Sequence, residues 1–419
     1  MQQVIKNIFE KTNNNKVVVA CSTGIDSMTL LYLTMQAKDV DDIIVVHINH
    51  QKRNQSIEEE TYIKEFCKQH NLKCYVKRLD KIEDGNFQAL AREERYIFFD
   101  EIATKENAKY ILLAHHADDN LETILMRMMK SSSLKGYAGV EMESIYKTHY
   151  IYRPLLKHSK LEITKYAKDN NIKYYEDVSN FNDEYTRNRI RKYITPVLLE
   201  ENPKLYDAIN YYSETILGAN KLLEKEKLQF IENKILVNNN NDINTYQMNL
   251  SDYNSLDEYL KKQILFRLLK LFKLSHQCVE DIMKQLASSK PNIVTMVNDE
   301  LAMIKEYGYV IFTNEVIKPL EYELIITQDG EYNLPNIGKL EVYKNNCNLI
   351  TTKNKVCYTI KGLPIVARTR RAGDKIKRKD CLKNISDYLT NQKIPYLIRK
   401  DLLYLYDNDN TAIAILNSK

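Results

Sequence analysis

The chain lacks tryptophan, any Cys-x-x-Cys pair and any long unbroken apolar run. Its seven cysteines (Cys21, Cys67, Cys74, Cys278, Cys347, Cys357 and Cys381) are scattered. That spacing excludes a zinc finger, an iron–sulfur ligand set and a disulfide framework, and predicts a reduced, cytoplasmic protein. No stretch approaches the ~18 continuous apolar residues of a membrane span. The start, Met1-Gln2-Gln3-Val4-Ile5-Lys6-Asn7, has no signal-peptide core, so a soluble chain with no membrane partner is expected. No Gly-Lys-Ser/Thr follows a glycine loop, which removes the Walker-type phosphate loop. No internal repeat is evident. The missing tryptophan, set against abundant Asn, Lys, Ile and Tyr, fits A+T-rich coding and gives a bland origin for the run Asn238 to Asn241. Net charge is small as well: 61 Lys+Arg against 56 Asp+Glu give +5, too little to define a partner. Its distribution is uneven, because Lys353 to Lys400 holds fourteen basic residues and three acids (Asp374, Asp380, Asp387). Such a block suits a phosphate backbone, or merely a solvated face.

At 419 residues the chain is long enough for two or three domains. Apolar strand-like runs at Val17–Cys21, Ile43–His47, Cys74–Val76 and Tyr110–Ala114 alternate with helical patterns at Ser27–Gln36, Ile57–His70, Phe87–Glu106 and Asp118–Lys130. This predicts an α/β domain with a mostly parallel, Rossmann-like sheet whose ligands lie beyond the strand C-termini. Polar clusters at three such ends (Ser22 to Ser27, His47-Ile48-Asn49-His50, and His115-His116-Ala117-Asp118-Asp119) should share one crevice. The expected divisions are residues 1–203 for this domain, 204–316 for a helical middle domain, and 317–419 for a small basic α+β domain.

The most informative segment is Val17-Val18-Val19-Ala20-Cys21-Ser22-Thr23-Gly24-Ile25-Asp26-Ser27. A β-branched strand enters a tight turn that opens a helix, so backbone N–H groups and the positive helix end converge where a phosphate would sit. Ser-x-Gly-x-Asp-Ser resembles the pyrophosphate loop of the ATP pyrophosphatases. Ser22 and Ser27 offer hydroxyls, Gly24 is expected to let the backbone approach, and Asp26 is a hard oxygen ligand suited to magnesium. A second cluster runs from Ala114 through His115, His116, Asp118, Asp119 and Glu122; Asp119 and Glu122 fall three apart on one helix face, with His115 aimed at the same crevice. Paired acids at a helix start also serve the helix dipole alone. The third, Phe87 to Tyr96, carries Arg92 and Arg95, which could clamp a phosphate or pair with Glu93, Glu94 or Asp100.

Taken with Arg153-Pro154-Leu155-Leu156, Asp177-Val178-Ser179-Asn180 and Arg187-Asn188-Arg189-Ile190-Arg191, these motifs make residues 16–196 resemble the tRNA(Ile)-lysidine synthetase family. The tail segment Arg371-Ala372-Gly373-Asp374-Lys375-Ile376, followed by Ile394-Pro395 and Arg399, is similar to that family's C-terminal domain. Lys130-Ser131 departs from the Arg-Gly usual in relatives. The resemblance implies adenylation of the wobble cytidine of an isoleucine tRNA with a CAU anticodon, followed by attack of free L-lysine and release of AMP. On that basis Ser22, Thr23, Gly24, Ile25, Asp26 and Ser27 bind ATP, and Asp26 and Asp119 hold magnesium, with Asp119 as metal ligand or base. His115 and Arg95 would stabilise charge, Glu122 would meet the lysine ammonium, and Arg187, Asn188, Arg189 and the basic tail would hold tRNA. A homodimer is left open. A tRNA thiolase with the same loop is the alternative, although it generally needs paired or catalytic cysteines. A GMP, NAD or asparagine synthetase relative would need a glutaminase partner, and a noncatalytic tRNA binder would not need Asp26, Asp119 and Glu122 intact.

Overall fold

The β-branched run at Val17–Ala20 forms β1, flanked on both sides within a six-stranded sheet. The computed structural model describes residues 1, 5–6, 9–10, 16–49, 51, 55–79, 87–130, 132–175, 185–240, 243–315, 320–343, 348–351, 357–359, 362–378 and 381–416. His50, Asn86, Ser131, Asp177-Val178-Ser179-Asn180 and the expected boundary at 316–317 lie outside them. The chain divides into two compact units, Met1–Leu222 and Leu223–Lys419.

In the first unit, β1 is followed by α1 (Ile25–Ala37), β2 (Ile43–Asn49), α2 (Gln55–Gln69), β3 (Lys73–Arg78), α3 (Phe87–Lys105), β4 (Tyr110–Leu112) and α4 (Ala117–Lys130). Then come β5 (Glu143–Tyr146), β6 (His149–Tyr152) and α5 (Lys160–Asp169). The sheet order is β3-β2-β1-β4-β6-β5, parallel throughout except for the edge strand β5, which pairs antiparallel with β6. The predicted alternation is therefore present, and each strand and helix lies within a few residues of its expected place. Successive β1 side chains go to opposite faces: Val17 and Val19 pack with Leu30, Ile63 and Ile163, whereas Val18 packs with Phe98, Phe99 and Ile102. Burial on both faces is what a parallel sheet between two helical layers requires, and it explains why β1 reads as an unbroken apolar run. The order reverses between β1 and β4, so the loops leaving these two strands splay apart and open a crevice at their C-terminal ends.

After α5 the chain forms a short helix α6 (Thr186–Arg189), a π-helical turn at Ile190–Ile194, α7 (Thr195–Glu201) and the long α8 (Leu205–Lys234), within which the boundary between units falls.

The second unit has more strand than its helical periodicity suggests. Besides α9 (Glu258–Leu268) and α10 (His276–Ala287), it holds a five-stranded antiparallel sheet in the order β7-β8-β11-β10-β9. These strands span Ile235–Asn240, Ile243–Asn249, Ile293–Met296, Ala302–Glu306 and Tyr309–Thr313. The first hairpin escapes a period-2 reading because Leu236, Val237 and Ile243 are exposed, so its apolar residues do not alternate cleanly between a buried and an exposed face. Among the described residues the tail adds ten short strands in two sheets, one of four strands and one of six, with α11 (Ile385–Asn391) beside the latter. The six-stranded sheet includes β17 (Ile365–Arg368) and β20 (Leu403–Tyr406), which pair antiparallel. Among the described residues no helix is long and apolar enough to cross a membrane.

Candidate active site

The loop from β1 to α1 is tied together by its own serines. Ser27 Oγ accepts from the Ser22 backbone N–H at 3.1 Å and donates to the Gly24 carbonyl at 3.0 Å, and the Ser22 hydroxyl lies 3.2 Å from it. Ser27 is buried, which leaves Ser22 as the exposed hydroxyl of the pair. Gly24 has an ordinary φ of −69°, and a Cβ there would meet Ser22 Oγ at 3.5 Å, so neither its backbone conformation nor packing within the protein demands glycine. The left-handed residue is Thr23, with φ of 65°, a costly geometry for a β-branched side chain. Burial and a hydrogen bond from the Tyr175 N–H to its carbonyl at 3.0 Å hold it there. No side chain caps α1, whose first turn carries Asp26. Uncapped first-turn amides are the arrangement that receives an anion.

The first and third polar clusters meet through particular atoms, and of the second His47 alone among the described residues reaches the start of the loop. His47, near the end of β2, places Nδ1 2.9 Å from the Cys21 carbonyl. Asn49 instead turns away to Glu60, donating at 2.8 Å. The link between the loop and α4 is His116, whose Nε2 lies 3.8 Å from Asp26 Oδ2 and 3.5 Å from Asp119 Oδ2, with Asp118 3.4 Å from Nδ1. Sequence reasoning favoured its neighbour His115; two adjacent histidines at a strand-to-helix turn point differently, and no periodicity separates them.

The two imidazoles are driven in opposite directions. Burial, reinforced by Arg153, Arg92 and Arg187 and opposed by Asp119, pushes His115 down to about 4. His115 is therefore neutral at pH 7, with its buried Nδ1 unpartnered. For His116 burial also favours the neutral form, but Asp118, Asp119 and Asp26 outweigh it and the net shift is upward. A group with a raised folded pKa contributes stability that is full below its unfolded value (about 6.5) and is lost as pH rises through the folded value. His116→Gln should accordingly cost more stability at pH 6 than at pH 9, as measured by urea unfolding at the two pH values. An equal cost at both would show that His116 carries no extra proton in the fold.

The acids of α4 each have assigned partners. Asp118 accepts from Tyr206 at 2.6 Å and from the Lys160 backbone N–H at 2.8 Å. Burial raises its pKa, but His116, Tyr206 and that N–H bring it down to about 2. Asp119 accepts from the His116 backbone N–H at 3.1 Å and lies 3.7 Å from Arg191. Glu122, fully buried, is gripped by Arg191 at 2.7 and 3.2 Å and by Arg187 at 3.1 Å. The π-helical turn at Ile190–Ile194 contains Arg191, and such insertions recur at functional sites. Asn120 accepts from the Val140 N–H at 2.7 Å and donates to Ser213 at 3.2 Å. Gly139 (φ 80°) is obligatory beside it, since a Cβ would fall 2.2 Å from Asn120 Oδ1.

The arginines of α3 do not pair with the acids named as their alternatives. Arg92 lies over the Tyr96 ring at 4.9 Å and donates to its hydroxyl at 3.2 Å, whereas Glu94 takes Lys77, and Asp100 takes Lys147 and His149. Arg95 Nε is buried without a hydrogen-bond partner, a cation ready for a ligand anion. Arg187 also donates to Thr123 at 3.1 Å, and Arg189 to Thr186 at 3.1 Å. Among the described residues no group of three or more His, Cys, Asp or Glu forms a metal cage. The hard carboxylates Asp26 and Asp119 fit magnesium only in the manner usual for that ion, with one or two carboxylates and the substrate's phosphates completing the shell. Lys160 is the residue that sequence reasoning missed: its Nζ lies 2.6 and 2.7 Å from the two oxygens of Asp26.

A parallel sheet reversing between β1 and β4, with a serine-tied loop and a cluster of acids and arginines at that reversal, defines an ATP-utilising PP-loop protein. The PP-loop domain family matches residues 1–198. The tRNA(Ile)-lysidine synthase of Staphylococcus aureus (strain COL) is 30% identical over 415 residues, covering 96% of this chain and 93% of that protein. That of Bacillus subtilis (strain 168) is 30% identical over 430 residues, covering 95% and 89%. A solved structure, the U34-tRNA thiolase NcsA from Methanococcus maripaludis with its 4Fe-4S cluster, matches 49% of this chain and 72% of that one at 19% identity and a TM-score of 0.43. The chain belongs to the tRNA(Ile)-lysidine synthase family.

Proposed function

We propose that this enzyme forms lysidine at the wobble cytidine of an isoleucine tRNA with a CAU anticodon, using ATP and free L-lysine. The observation that carries the reading is the convergence of Asp26, His116 and Asp119 at the mouth of the PP-loop, with neutral His115 and the unpartnered Arg95 Nε available for substrate. In the first step the ring carbonyl oxygen of cytidine attacks the α-phosphorus and pyrophosphate leaves. In the second, the lysine ε-amine attacks the same ring carbon, AMP departs with the oxygen, and the amine loses a proton.

This chain's residues divide that work. The loop amides and Ser22 receive phosphate oxygens, and Arg95 offsets the negative charge developing on them. His115, held neutral, donates or accepts a hydrogen bond without adding charge. Asp26 and Asp119 would hold magnesium, which neutralises phosphate charge when bound. The environment of Asp119 bears on its role. Burial raises its pKa, but His116, the His116 N–H and Arg187 reverse this and leave it depressed. A depressed carboxylate is a weak base and a good cation ligand, which favours the ligand role for Asp119 over the base. Glu122 is the proposed site for the lysine ammonium; to serve there it must release an oxygen now held by Arg187 or Arg191, either of which can then turn to a phosphate. Arg187, Asn188, Arg189 and the basic tail hold tRNA, and the wobble base is flipped into the crevice.

The thiolase alternative is disfavoured by where the thiols lie. Cys21, beside the loop, is buried and its thiol is pushed up to about 11 by desolvation, so it supplies no thiolate at neutral pH. Incubation with ATP, magnesium, labelled lysine and unmodified isoleucine CAU tRNA should place stable label on that tRNA and none on a methionine CAU tRNA. Pyrophosphate release without lysine incorporation would keep adenylation and reject lysine as the second substrate.

A further inference from the structure

Lys160 opens α5, at the end of a helix where the dipole disfavours a cation and favours an acid. The helix start is nevertheless firmly built. Ser159 and Glu162 form a reciprocal capping box, with Ser159 Oγ accepting from the Glu162 N–H at 3.2 Å and the Ser159 N–H donating to Glu162 Oε2 at 2.7 Å. The Lys160 backbone N–H is fixed on Asp118 at 2.8 Å. A residue that breaks the local electrostatic rule while its backbone is this well anchored is placed for another purpose. Its side chain supplies one: the ammonium covers both oxygens of Asp26, yet it is 42% exposed and so has room to swing away.

A divalent ion and this ammonium compete for the same two oxygens. An ion arriving alone must displace Lys160, leave it unpaired beside a second positive charge, and give up tightly held water. An ion arriving with nucleotide brings phosphate oxygens, against which the displaced ammonium finds a new anionic partner. We infer that Lys160 is a positioning residue that masks Asp26 in the nucleotide-free enzyme, so that divalent metal enters together with the nucleotide's phosphates and not before them. This rests on the reading of Asp26 as a magnesium ligand, and it adds an ordered entry of metal that the loop alone does not impose.

The test uses Mn²⁺ as probe, titrated into the full chain without nucleotide and followed by the loss of the free-ion electron paramagnetic resonance signal. Lys160→Gln and Lys160→Met should each tighten nucleotide-free Mn²⁺ binding tenfold or more, the methionine variant showing that no new amide ligand is responsible. Lys160→Arg should stay as weak as wild type, and adding Asp26→Asn to Lys160→Gln should abolish the gain. In parallel, Lys160→Gln should weaken metal-free pyrophosphate binding, because the displaced ammonium is the proposed phosphate partner. Mn²⁺ binding no tighter in Lys160→Gln and Lys160→Met, both shown folded by thermal melting, would overturn the inference; so would a gain that survives Asp26→Asn. Neither tRNA nor lysine is needed, so this result and that of the lysine-transfer assay stand or fall separately.

Discussion

Asp119→Asn should leave tRNA binding nearly unchanged and lower lysine transfer about a thousandfold or more, the scale of losing a charge that acts on the reacting phosphates. Asparagine has nearly the same shape, and its Oδ1 can still accept from the His116 N–H, now bonded at 3.1 Å. What disappears is the negative charge facing His116 Nε2 at 3.5 Å and Arg191 at 3.7 Å. The proposed grip on tRNA rests on Arg187, Asn188, Arg189 and the basic tail and not on the Asp119 carboxylate, so affinity measured by filter binding should hold while turnover collapses. Affinity and turnover falling together would place Asp119 in RNA binding instead of chemistry. A modest loss of turnover, tenfold or less, would mean that Asp26 holds the metal without it.

Much of this site was legible because two different periodicities mark it. The apolar runs at β1, β2, β3 and β4, each ending in polar residues, are what a buried parallel sheet with ligands at its C-terminal edge must look like in one dimension. Asp26, Asp119 and Glu122 followed from motif position, and the structure brings the first two to the same nitrogen of one imidazole, His116 Nε2. Lys160 was not legible, because it stands 134 residues from Asp26 and reads as an ordinary surface residue at a helix start. His116 was hidden by adjacency to His115. The basic tail was legible as charge but not as partners: Arg368 is used on Asp374, Arg371 on Glu323, Lys400 on Glu315, and Arg399 on the Ile394 carbonyl. Counting charges along a sequence gives the total available to an RNA and omits what the fold itself consumes. Among the described residues, exposed Lys375, Lys377, Lys383 and Lys393 remain for a phosphate backbone.

The second large effect is structural and concerns one of those consumed charges. Arg368, the last residue of β17, and Asp374 form a bidentate pair at 2.8 and 3.0 Å with side chains only 2% and 8% exposed. The same carboxylate accepts from the Arg371 N–H and the Tyr406 hydroxyl, each at 2.6 Å, and the guanidinium lies 3.7 Å over the Tyr406 ring. One aspartate thus ties β17, the turn at Gly373 (φ 85°) and β20 together. Asp374→Asn should cost roughly 3–5 kcal/mol, because it strands a buried guanidinium rather than merely removing an attraction. Arg368→Met combined with Asp374→Leu should cost distinctly less than the single change, since neither charge is then left unpaired. Burial raises the Asp374 pKa, but Arg368, the Arg371 N–H and Tyr406 more than reverse this. Its contribution is therefore complete above the usual aspartate value of about 3.9 and fades as pH falls through the lower folded value. Hydrogen exchange of the β17 and β20 amides is the suitable readout, because a chain of two units need not unfold in one step. Faster exchange confined to these strands, with weakened tRNA affinity and unchanged Mn²⁺ binding at Asp26, is the expected pattern. Unchanged exchange in Asp374→Asn would mean that Tyr406 and Arg371 hold the turn without the charge, and that Arg368 is satisfied by Asn410 and the Thr369 carbonyl, its other partners at 2.9 Å.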